Sequence, residues 1–147
     1  MDDVCDQTGF PLGRTGRVLL VLWSLIVLAG FAVALSLEPD THRYGTHQEL
    51  GLPPCTSLVL FDIPCPSCGM TTSFSHFVRG QFKQAAQANT AGVLLAAICA
   101  AQIPWCWLSA YQGHLWRVRR PHVFLLCVLS VLSGVCVVQW TSKLLLR

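Results

Sequence analysis

Residues 18–37, VLLVLWSLIVLAGFAVALSL, are twenty consecutive positions without a formal charge. At 1.5 Å of rise per residue a helix of that length reaches about 30 Å, the thickness of a bilayer's hydrocarbon core. Two further runs, residues 90–111 (TAGVLLAAICAAQIPWCWLSAY) and 122–140 (HVFLLCVLSVLSGVCVVQW), also lack Asp, Glu, Lys and Arg. Inside hydrocarbon every backbone N–H and C=O must be bonded within the segment or around a closed barrel. The period-two alternation of barrel strands is missing, so the runs read as three spanning helices. With 53% of its 147 residues hydrophobic and 12% charged, the chain is too apolar for a soluble domain. The expected fold is an all-α membrane protein. Residues 1–17 form an amino-terminal tail and 18–147 a single three-span domain with a long loop at 38–89.

The first run is preceded by Arg14 and Arg17, and Ala32-Val33-Ala34 resembles a small-residue cleavage site, so a secretory leader is the alternative to an anchor. Asp2, Asp3 and Asp6 occupy a region that is normally basic in leaders, and retention is expected. Counting Lys and Arg near the span ends nearly ties. Arg14, Arg17, Arg117, Arg119 and Arg120 fall on one side, and Arg43, Arg79, Lys83, Lys143 and Arg147 on the other. The dense connector GHLWRVRRPH and the two arginines just before the first span favour an amino terminus in the cytoplasm, with the long loop outside. Trp105, Trp107, Tyr111 and Trp116 gather at the connector end of the second run, where aromatic belts meet headgroups, and Trp105 and Trp107 read as lipid-facing anchors. A net charge of +3 suits anionic lipid and gives no sign of nucleic-acid binding. Spans without an ionisable group of the kind that marks a pathway argue against a transporter.

Small residues recur every four positions at Gly30 and Ala34, at Gly92, Ala96 and Ala100, and at Ser130 and Gly134, the pattern of close helix contacts. Pro104 is expected to kink the second span, and Gln102 to bond a neighbouring helix. In the long loop, CTSLVLF (residues 55–61) reads as extended or dipping onto the bundle. Met70, Phe74, Phe77, Val78 and Phe82 line one face of a short amphipathic helix, with a break at Gly80 and a restart at Gln81. That stripe is expected to pack on the bundle. Asn89 is placed to cap the second span.

Between these parts lies DIPCPSCGMTTSF, residues 62–74. Of eight cysteines, Cys99, Cys106, Cys127 and Cys136 lie in apolar runs and read as small hydrophobes. Cys55, Cys65 and Cys68 share the loop, and three readings stay open. A zinc site would use the Cys-x-x-Cys pair with Cys55 and His76 as further ligands, and His42 and His47 behind them. A thiol-disulfide centre would place Cys65 at a helix cap and Cys68 in its first turn, with Pro66 at the first helical position. A structural turn, open or closed by a disulfide, would use the prolines and Gly69 for backbone geometry and Thr71 or Thr72 for capping.

CPSCGMTTSF followed by FVRGQFKQAAQAN before a span resembles the small bacterial membrane proteins of the domain of unknown function 2752. The family pattern falls on Cys65, Pro66, Cys68, Gly69, Thr71, Gly80 and Asn89, and the likeness covers residues 65–102. Many members carry Arg where Thr72 stands and Pro where Thr90 stands. The resemblance implies a multi-pass protein of a bacterial plasma membrane and transfers no activity. The resulting expectation is a non-enzymatic integral membrane protein whose CPSCG loop structures the extramembrane face, in contact with lipid and with a membrane protein partner or a second copy. No catalytic residue and no cofactor is assigned beyond the zinc option, and a thiol-disulfide oxidoreductase using Cys65 and Cys68 is the main rival.

Overall fold

The computed structural model describes residues 9–39, 46, 51–61, 63, 65–118 and 120–145, with 58 described by its backbone alone. Six helices follow one another: α1 (Arg14–Ser36), α2 (Thr56–Phe61), α3 (Met70–Val78), α4 (Phe82–Ala88), α5 (Thr90–Gln112) and α6 (Pro121–Leu145). The chain is all-helical among the described residues, and α1, α5 and α6 are long and apolar enough to cross a membrane. Two of these helices extend past their chargeless runs. Arg14 and Arg17 lie in the first turn of α1 and Lys143 in the last turn of α6, because long basic side chains keep their heads in the wet interface while their stems stay apolar.

α5 is the centre of the arrangement. It packs against α1 on one side and α6 on another, and against α3 and α4 near its amino end, while α1 and α6 do not meet. Ala91, Gly92 and Ala96 of α5 are buried, as is Ala34 of α1. The small residues expected to seat α6 do not do so. Nothing lies within 4 Å of a Cβ built on Gly134, and α6 has no buried residue among those described, since α5 is the helix its backbone packs against and that row turns outward. Gly30 likewise faces open space, beside an apolar groove of about 220 Å³ between α1 and α3.

Gln102 makes no cross-helix bond among the described residues. Other groups supply the polar links. Trp107 donates its indole N–H to Ser24 Oγ at 2.8 Å, and Gln139 of α6 accepts from the amide of Ala91 at 3.1 Å. Lys143 of α6 donates to the Ala88 carbonyl at 3.1 Å. Trp105 donates to the Trp116 carbonyl at 3.0 Å. Trp105 and Trp107 are therefore interhelical or connector ties as well as surface aromatics, because an indole N–H near hydrocarbon needs an acceptor. α5 continues through Pro104 as one helix.

Two ends are distinguished by their contacts. At one end residues 9–12 lie along the α5–α6 connector, with the Phe10 amide bonded to the Val118 carbonyl and the Leu115 amide to the Phe10 carbonyl. Gly113 there has φ 78°, and a Cβ on it would collide with the Arg17 guanidinium. At the other end α3 packs against α1 and α5 and α4 against α5, while α6 reaches α4 through Lys143.

The loop departs from expectation in two places. Thr56–Phe61 forms a helix, α2, that packs on no other helix among the described residues; Val59, Leu60 and Phe61 are exposed. Gly80, at φ 73°, breaks α3 from α4 as expected. The face of α3 that is buried deepest carries Thr72, Ser73 and Ser75, not the phenylalanines. Phe74 and Phe77 are half-buried and stack on Phe31 of α1, at 6.0 and 6.4 Å between centroids, so the stripe does pack on the bundle. Short hydroxyl side chains allow closer approach and bond the carbonyls they meet. A Cβ on Gly92 would lie 2.8 Å from the Ser73 Cβ, so α3 rests on α5 where a glycine stands.

Candidate functional site

Residues 66–69 form a turn, not a first helical turn. The Cys68 amide bonds the Cys65 carbonyl at 3.0 Å, the Met70 amide bonds Ser67 at 3.1 Å, and Gly69 takes φ 81°. A residue in the left-handed region cannot continue a right-handed helix, so α3 starts at Met70. Cys65 therefore stands outside the helix, five residues before its start, and the thiolate-stabilising cap position foreseen for it does not form. Neither Thr71 nor Thr72 caps α3: no side chain bonds its amino-terminal amides at the cap. Thr72 is instead buried, its Oγ1 2.8 Å from Thr46 Oγ1.

That turn brings three thiols together. The sulfurs of Cys55, Cys65 and Cys68 all lie within 4.8 Å of one another, with Cys65 to Cys68 at 3.3 Å. Cys55 comes from the residue before α2, ten positions upstream of Cys65. His76 does not join them; its Nδ1 lies 2.6 Å from Gln81 Oε1, at the break between α3 and α4. His42 and His47 fall outside the described residues, as does Pro64. Cys68 is buried, and burial, reinforced by its hydrogen bonds with Cys65 and Cys55, pushes its thiol up to about 12. At neutral pH such a thiol stays protonated and is a poor nucleophile.

The turn is held from beneath by Asn89. Its Oδ1 accepts from the Gly92 amide at 3.0 Å, which is the expected cap of α5. Its Nδ2 does something the spacing did not announce: it donates to the carbonyls of Cys68 at 3.1 Å and Pro66 at 3.3 Å. The Asn89 carbonyl accepts from Ser73 Oγ at 2.9 Å, and the whole side chain is buried. One residue thus joins the cysteine turn, α3 and α5. The Cys136 thiol of α6 reaches the Pro66 carbonyl at 3.4 Å, so one of the four cysteines read as plain hydrophobes also touches the turn.

Arg79 was legible only as one more positive charge. Its guanidinium donates to the carbonyls of Leu35 and Leu37 at 2.8 Å, and of Ala34 at 3.3 Å, and to Ser75 O and Oγ. Ser75 Oγ donates to the Leu37 carbonyl at 2.7 Å. The end of α1 has no basic residue of its own in its last turn, and Arg79 supplies one from α3's end, satisfying carbonyls that no intrahelical amide reaches. The signal was available: a span ending without a cation, and an arginine just after the short helix that follows it.

No curated protein and no solved structure matches the chain in these comparisons. Residues 55–103, a span that begins at the first of the three clustered thiols, contains Arg79 and Asn89 and ends within α5, match the model of a family described as protein of unknown function (DUF2752).

Proposed function

We propose that this is a non-enzymatic integral membrane protein of a bacterial inner membrane, whose cysteine turn is a fixed structural element clasped to the extramembrane start of α5. The observation that carries this reading is the commitment of Asn89: its amide donors are both used on the carbonyls of Pro66 and Cys68, and its acceptor on α5. A thiol-disulfide centre must expose a reactive thiolate and move between two states. Here Cys68 is buried and Cys65 stands outside α3, five residues before its start, which supports a structural role over an exchanging one. Helix α2 and the turn at residues 65–69 then form a platform for a membrane partner or a second copy.

The amino terminus lies in the cytoplasm on this reading. Arg14, Arg17, Arg117 and Arg120 gather at the connector end, whereas Arg79 at the opposite end is already bonded to carbonyls. Assaying the purified protein for oxidation of a small dithiol and reduction of a small disulfide tests the functional claim. No turnover is expected above the rate of a Cys65→Ser, Cys68→Ser double variant. Turnover that disappears in that variant, while its helix content is unchanged, would overturn the structural reading.

A further inference from the structure

We propose that Cys55, Cys65 and Cys68 bind one zinc-class divalent ion, a three-thiolate site that ties α2's start to the turn before α3. This deepens the structural reading of the turn and rests on it.

The three sulfurs come from two separate stretches of chain and converge within 4.8 Å. A Zn–S bond of about 2.3 Å in a tetrahedral shell sets sulfurs about 3.8 Å apart, so one ion reaches all three when the 3.3 Å Cys65–Cys68 pair opens slightly. A disulfide would use two of the three and leave no reason for the third to be there. The remainder of the turn is suited to hold ligands still. Asn89 fixes the carbonyls of Pro66 and Cys68, and Gly69 supplies the left-handed residue that ends the turn before α3.

The chemistry selects the ion. Thiolates favour soft or borderline cations such as zinc and monovalent copper over magnesium or calcium. Three thiolates leave a charge of −1 around a divalent ion and −2 around monovalent copper. With Cys68 buried, the smaller residual charge costs less desolvation, which favours the divalent ion. On binding, each thiol releases its proton to solvent and the sulfur lone pair forms the bond to the metal. His76 is not a ligand, being held by Gln81. In an oxidising compartment the bound ion also keeps the thiols from pairing.

The full chain, purified in mild detergent, reduced and freed of metal, is titrated with Co²⁺ and with Cd²⁺ while thiolate-to-metal charge-transfer absorbance is followed. One equivalent of either ion per chain is expected, with bound Co²⁺ displaced by Zn²⁺. Because each thiolate contributes to that absorbance, Cys55→Ser and Cys65→Ser should each lower it by about one third, and Cys127→Ser should leave it unchanged. Loss of helix content in a variant is checked by circular dichroism; the wild-type stoichiometry and Zn²⁺ displacement decide the matter without any variant. Absence of charge transfer in the reduced wild type, uptake beyond one equivalent, or a band indifferent to Cys55→Ser would overturn the zinc site. A failed titration with no dithiol turnover leaves the structural turn standing, whereas dithiol turnover removes both.

Discussion

Asn89→Asp separates the two things that Asn89 does. Asp and Asn are equivalent N-caps, so the substitution preserves the acceptor that meets the Gly92 amide at 3.0 Å. It removes both donors, and sets a carboxylate oxygen against the carbonyls of Pro66 and Cys68 where the amide nitrogen stood at 3.3 and 3.1 Å. Losing two bonds costs about 1–3 kcal/mol, and the unpaired charge at a buried site adds to that. A fall of at least about 2 kcal/mol is expected, equal to a roughly 30-fold rise in the opened population. Asn89→Ala loses the cap as well, about 1 kcal/mol, but brings no charge, so the two variants should fall by similar amounts. Thermal unfolding in mild detergent reads the loss, and hydrogen exchange in residues 65–73 reads where it occurs. If Asn89→Asp unfolds like the wild type, the side chain is only a cap and the turn is held by something else.

Gly92→Ala should cost about 1–3 kcal/mol, since its new methyl would sit 2.8 Å from the Ser73 Cβ, while Gly134→Ala, facing open space, should stay within about 0.5 kcal/mol of wild type in the same unfolding assay. Equal effects at the two glycines would contradict the docking of α3 on α5. Arg79→Lys keeps the charge but loses the fork that reaches several carbonyls at once, and should destabilise by about 1–3 kcal/mol, visible as faster exchange at the end of α1; a silent substitution would show the end of α1 to be capped otherwise. A periplasmic reporter fused after Leu145 should be active and one fused after Gln112 inactive; the reverse pattern would invert the orientation.

The spans were legible because a chargeless run long enough to cross hydrocarbon has few alternatives. The Gly80 break and the Asn89 cap were legible for local reasons, a left-handed residue and a short polar side chain before a helix. The buried face of α3 was not. Periodicity marks the apolar stripe through Phe74 and Phe77 and assumes that apolar means inside, but beside a bilayer apolar groups gain little from facing protein, and the closest contacts go to Ser73 and Ser75. The same reversal explains α6, whose small residues point away from α5's partners. Cys55 could be nominated as a ligand from the sequence, but so could His76, and only the turn at Gly69 and the path through α2 choose between them. The second role of Asn89 and the reach of Arg79 depend on side chains meeting carbonyls 21 to 45 residues away in sequence, which no local pattern encodes.

The accessibility of Cys68 tests most directly whether the turn is a fixed structure. The protein in mild detergent, reduced and stripped of metal with a chelator, is exposed to a small maleimide near neutral pH, and modification at Cys65 and Cys68 is followed separately by mass spectrometry. With the Asn89 clasp intact, Cys68 should stay unmodified on the timescale on which the denatured chain reacts fully, and should begin to react in Asn89→Asp. Modification of Cys68 in the folded wild type at the rate of the denatured chain would contradict a turn held in one buried state.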